Sequence, residues 1–147
     1  MSIYKHILLA ADFFEHGDQV ADKARLIAAQ NAAQLSMVHV IDNLPIIDPA
    51  YGPIIPFDVD ITQELLDATK KRLLELGEKL QVPTERQYME MGSPKLEIVR
   101  VAEEIGADLI IVGSHGRHGF ALLLGSTANG VLHHAKCDVL AVRLADD

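Results

Sequence analysis

The sequence has a single cysteine, Cys137, among 147 residues. An intramolecular disulfide is therefore excluded, and the cytoplasm is the simple expectation for its compartment. Basic residues are scarce: 13 Lys and Arg stand against 21 Asp and Glu, a formal net charge of −8. Such a chain lacks the electrostatic footprint of a nucleic-acid binder. Any anion it takes must be held locally, by backbone N–H groups, a few cations or a metal ion. Long apolar runs are missing too. The stretch MSIYKHILLAADFF offers only five apolar residues, Ile7 to Ala11, before Asp12. That is too short for a signal-peptide core or a membrane span.

Several chemical signatures are also absent. No Gly-Lys pair occurs, which excludes the GxxxxGK[ST] phosphate loop, and GxGxxG is absent as well. A nicotinamide dehydrogenase or a P-loop hydrolase is not expected. There is no HExxH or Cys/His set. His133 and His134 are adjacent and point to different helix faces, so no metal site built from side chains is expected. Ser114 and Ser126 have no recognisable base-and-orienter partners, which argues against a dedicated enzyme. Asp12 is followed by Phe13-Phe14 and lacks the clustered acidic pair that a phospho-acceptor domain needs.

What is present is a balanced composition, 49% hydrophobic and 23% charged. A chain of this size buries roughly 70% of its unfolded surface, enough for one core, and residues 1–147 read as a single domain. Apolar runs at His6–Ala11, Leu35–Ile41, Leu109–Val112 and Val139–Val142 suit strands buried on both faces. Helical stripes alternate with them: Val20, Ala24, Ile27 and Ala28; then Leu65, Thr69, Leu73, Leu76 and Leu80; then Ile98, Val101, Ala102 and Ile105. Asp60 to Gln63 has capping-box spacing for the second helix. Ser93-Pro94 reads as a cap followed by proline at the first helical position, and Gly106 as a C-terminal stop. Thr84–Met89 is less apolar and reads as an outer strand. The order β-α-β-α-β-α-β-α-β implies a doubly wound α/β sheet with helices on both faces. Residues 43–57 break the alternation with four of the six prolines and a run of apolar side chains that includes Ile46, Ile47, Ile54, Ile55 and Phe57. They read as an apolar loop, either packed on the fold or offered to a protein partner.

Five of the ten glycines fall in GSHGRHGFALLLGSTANG, residues 113–130. Gly113 directly follows the fourth strand, where open α/β sheets bind their ligands. Gly125-Ser126-Thr127 opens the last helix, whose free N–H groups favour an anion, and Ser126 either caps that helix or donates to the anion. His115, Arg117 and His118 are candidate anion contacts in the same loop. Taken as bare spacing, a glycine-rich turn with an ordinary cap remains an equal reading.

These residues resemble the universal stress protein family. GSHG after a fourth strand, LLLGST at a helix start, CDVLAV as a last strand, YKHILLAADF and MVHVID together carry the likeness over essentially the whole chain. The resemblance implies a five-stranded parallel, Rossmann-like sheet of order 3-2-1-4-5 and a homodimer formed through the last strand, Asp138–Arg143. It also implies, for the nucleotide-binding branch, ATP; Mg²⁺ would then be expected with it, to offset the phosphate charge in a chain of −8. Gly113, Gly116, Gly125 and Ser126 would then surround the triphosphate, with His115, Arg117 and Thr127 beside it. Asp12 and Val40, with Ala10, would hold the nucleoside end. Slow ATP hydrolysis would be compatible with such a site. Two features depart from the family pattern. Eight residues, Arg117 to Leu124, separate Gly116 from Gly125 where that branch has nine. The missing residue is worth up to ~3.5 Å of extended chain. Phe14 also stands where the family often has serine. A nucleotide-independent dimeric interaction protein, using residues 43–57 and the sheet edge, is the alternative.

Overall fold

The computed structural model describes residues 3–13, 17–42, 59–114 and 125–143. Five strands and four helices alternate: β1 (His6–Ala10), α1 (Gly17–Asn31), β2 (Gln34–Asp42), α2 (Val59–Leu80), β3 (Gln87–Gly92), α3 (Pro94–Ile105), β4 (Leu109–Gly113), α4 (Ser126–His134) and β5 (Asp138–Val142). The strands form one sheet of order β3-β2-β1-β4-β5, and every neighbouring pair is parallel. The expected order 3-2-1-4-5 is the observed one.

Alternate residues of each strand feed two separate cores. Ile7, Leu9, Met37 and Ile111 face α1 and α2, while Leu8, Val38, Ile110 and Val112 face α3 and α4. The central strands therefore carry unbroken apolar runs, as burial on both faces requires. Ile7, Leu8, Ile110 and Ile111 are wholly buried, each worth about 1.5–3 kcal/mol relative to an exposed side chain.

The amino end of the sheet is tied by polar side chains. Asp108 accepts from the N–H groups of Lys5 and His6, and Asn31 accepts from those of Ile3 and Tyr4. His6 donates from Nδ1 to the Ile105 carbonyl, 3.1 Å away, so its Nε2 accepts from the buried Ser36 hydroxyl at 2.7 Å. β1 is thereby fixed to β2, α3 and β4 at one end, leaving the other end for a site.

Local expectations met mixed outcomes. Ser93 precedes α3 with Pro94 in its first turn, and Gly106 closes it at φ 71°, a conformation glycine adopts without strain. α2 begins at Val59, so Asp60 lies inside the helix and does not cap it. Leu65, the first residue of the α2 stripe, is 52% exposed. The cause is length: 22 residues of helix reach roughly 33 Å, beyond strands of roughly 20 Å. The outer strand runs Gln87–Gly92, because Thr84–Arg86 forms a 3₁₀ turn ahead of it.

Candidate functional site

The chain order reverses about β1. From β1 it winds outward through β2 to β3, then crosses back to β4 on the other side. The crevice between the carboxyl ends of β1 and β4 is the place where such sheets take ligands. Ala10 ends β1, Asp12 follows two residues later, and Gly113 ends β4. Val40 lies near the end of β2, one strand further along. Ala10 and Val40 are partly buried on the α3/α4 face.

α4 starts on that same side. The Gly125 N–H donates to the Ser114 carbonyl at 2.6 Å, and the Ser114 N–H donates to the Val142 carbonyl at 2.8 Å. These bonds bring the first turn of α4 back to the end of β4. Gly125 occupies the cap position in extended backbone, and no side chain caps the helix. Ser126 is therefore the first helical residue, not the cap, and its side chain is exposed. The leading N–H groups of the helix have no acceptor within it and attract negative charge. Ala10, Asp12, Val40, Gly113, Gly125, Ser126 and Thr127 thus gather around one end of the sheet. His115, Gly116, Arg117 and Phe14 lie outside the described residues, as do residues 43–57.

Two neighbours of this end are not among the residues that the sequence pattern singles out. Gly17 begins α1 so close to Asp12 that a Cβ on it would lie 2.6 Å from the Asp12 carbonyl oxygen and 3.0 Å from Oδ1. His39, on the α1/α2 side, reaches the Ala11 carbonyl. Its clue was a polar ring inside an otherwise apolar strand.

Other titratable groups belong to different places. Arg100 gathers Glu90, Glu97 and Glu104 on the surface, and its hydrogen bonds to Glu97 and then Glu104 hold the guanidinium firmly charged. Burial first, then the nearby acids Asp138, Asp108 and Glu103, push the Cys137 thiol above its ordinary range. A raised thiol pKa keeps the sulfur protonated and a poor nucleophile. Among the described residues, no group of three or more His, Cys, Asp or Glu is placed to hold a metal ion. No helix among them is long and apolar enough to cross a membrane.

A five-stranded parallel sheet with helices on both faces and a glycine-rich crossing from β4 to α4 defines the Rossmann-like α/β class. The comparisons narrow this further. The family model described as the universal stress protein family matches residues 3–143. Universal stress protein A homolog 2 of Coxiella burnetii is 44% identical over 145 residues, covering 98% of each chain. Homolog 1 of the same organism is 45% identical over 141 residues, covering 95% of this chain and 96% of its own. The chain belongs to the universal stress protein family. Among solved structures, the hypothetical protein MJ0577 superposes with a TM-score of 0.80 at 26% identity over 99% of both chains. A universal stress protein in complex with cAMP superposes with a TM-score of 0.67 at 26% identity, over 98% of this chain and 100% of that one.

Proposed function

We propose that this chain is a cytoplasmic stress-response protein of one domain that binds ATP as a regulatory ligand and works as a homodimer. The observation that carries the reading is the Gly125–Ser114 hydrogen bond. It sets the start of α4 beside the strand ends that hold Asp12 and Gly113. That juxtaposition pairs an N–H-rich cradle for phosphates with partly buried positions, Ala10 and Val40, for a nucleoside. The cAMP complex of a family member supports an adenine nucleotide as the ligand class.

The donor set fits Mg²⁺ only as a companion of the nucleotide. Mg²⁺ retains waters and takes phosphate oxygens readily, so it needs no cage of protein side chains. In a chain of charge −8 it would offset the triphosphate, with the Ser126 hydroxyl within the same helical turn.

The homodimer rests on the edge strand β5. A groove of about 540 Å³ runs between β5 and α1, floored by Leu26, Ile27 and Leu140. It lies along the sheet edge, where a second copy would pair with β5.

Gly116→Val tests the nucleotide reading. The variant is expected to fold and to lose Mg-ATP binding in a calorimeter. Unchanged affinity would remove the glycine cradle from the account. The shortened Gly116–Gly125 spacing favours the second reading, a nucleotide-independent interaction protein. Under that reading, deleting residues 46–55 would abolish partner capture, while ATP would give no heat.

A further inference from the structure

We propose that His39 is a positioning residue that fixes the backbone on either side of Asp12. The inference rests on the reading above, in which Asp12 faces the nucleoside. Ala11 lies one residue past the end of β1, and only its N–H is still held by the β1–β2 ladder. Two consecutive residues of β2 hold both of its backbone groups, the second through a side chain. Its N–H donates to the Val38 carbonyl at 2.8 Å, and its carbonyl accepts from His39 Nδ1 at 2.8 Å. A carbonyl only accepts, so Nδ1 carries the proton.

His39 also braces the residue on the other side of Asp12. Its ring centroid lies 4.7 Å from that of Phe13, tilted by 44°. The Arg72 guanidinium of α2 lies over the Phe13 ring, 5.8 Å from the centroid. Asp12 is thus bracketed: the carbonyl before it is hydrogen-bonded to His39, and the ring after it touches His39 and lies beneath Arg72. A ligand-facing carboxylate on a loop is only as well placed as the residues that lock it. Here the lock comes from the α1/α2 side of the sheet, opposite Ala10 and Val40.

Two variants separate the donor from the ring. His39→Asn keeps an N–H donor near the Nδ1 position and removes the ring. His39→Phe keeps a ring against Phe13 and removes the donor. The Mg-ATP affinity of His39→Phe is expected to fall about five- to tenfold, as for one buried hydrogen bond lost. His39→Asn is expected to stay within about threefold of the parent. Parent-like affinity in His39→Phe, or an equal loss in both, would overturn the proposal. If the unaltered protein does not bind ATP, the nucleotide reading fails, and the positioning claim is decided without ligand. Amide exchange at Ala11 should then quicken in His39→Phe but not in His39→Asn; equal exchange in all three overturns it. Nitrogen NMR of the unaltered protein should find His39 protonated on Nδ1. Protonation on Nε2 alone would overturn the hydrogen bond, whether or not either variant folds.

Discussion

Gly17 and Asp12 lie so close that a single methyl group would part them. A Cβ at Gly17 would press on the Asp12 carbonyl oxygen, a backbone atom that moves only if the chain at Asp12 moves. Gly17→Ala is therefore expected to weaken Mg-ATP binding by about tenfold while leaving the fold intact, because small misplacements of a binding group are costly. Calorimetry beside circular dichroism checks this; parent-like affinity would show that Asp12 can shift without cost. Gly113, Gly125 and Ser126 were legible in the sequence because close backbone approach and a helix start both leave marks on neighbouring residues. Gly17 and His39 were not. His39 acts on a carbonyl 28 residues away, and that partner appears only when β1 and β2 lie side by side. Ser126 was legible as part of the helix start, but the capping role the sequence offered it is overturned, because Gly125 takes that position.

At the scale of elements, α2 carries a local rule and its exception. Gly77 sits inside the helix, where alanine would be favoured by about 1 kcal/mol on propensity alone. A Cβ there would collide with the Gln87 amide and lie 2.9 Å from the Val82 carbonyl oxygen. Gln87 donates to that same carbonyl at 2.9 Å, and the Val82 N–H returns to Gly77 at 2.8 Å. The glycine lets the helix end turn tightly into β3. Gly77→Ala is thus expected to destabilise the protein by about 1–2 kcal/mol, since a displaced Gln87 loses its bond and backbone must shift. Urea denaturation decides the sign; a stabilised variant would mean that propensity outweighs the contact. The strands and the α1 and α3 stripes were readable because burial on a fixed period leaves a periodic sequence. The start of α2 was not, since its first turns run past the sheet and Leu65 has no core beneath it among the described residues.

Over the whole molecule, the two ends of the sheet are put to different use. Asp108, Asn31 and His6 bind the amino end together, and the carboxyl end is left to glycines, Asp12 and the start of α4. The two flanks differ as well. β5 is an edge, and its Val142 carbonyl accepts from Ser114 of the inner side. In an extended strand the N–H and C=O of one residue point the same way and alternate along the chain. The Ala141 amide therefore faces outward, toward a second copy in the proposed homodimer. Ala141→Pro removes that outward donor without costing a bond to β4, and light scattering should find roughly half the parent mass. Unchanged mass with an intact circular dichroism spectrum would place the interface elsewhere. Fold and strand order were legible from alternation and resemblance; the edge groove was not, because it joins α1 to β5 across the full length of the chain. The central claim is that this end of the sheet holds an adenine nucleotide despite the shortened glycine loop. Titrating nucleotide-stripped protein with Mg-ATP in a calorimeter tests it most directly. The account predicts saturable micromolar binding with one nucleotide per chain, and a folded protein giving no heat at two temperatures would contradict it.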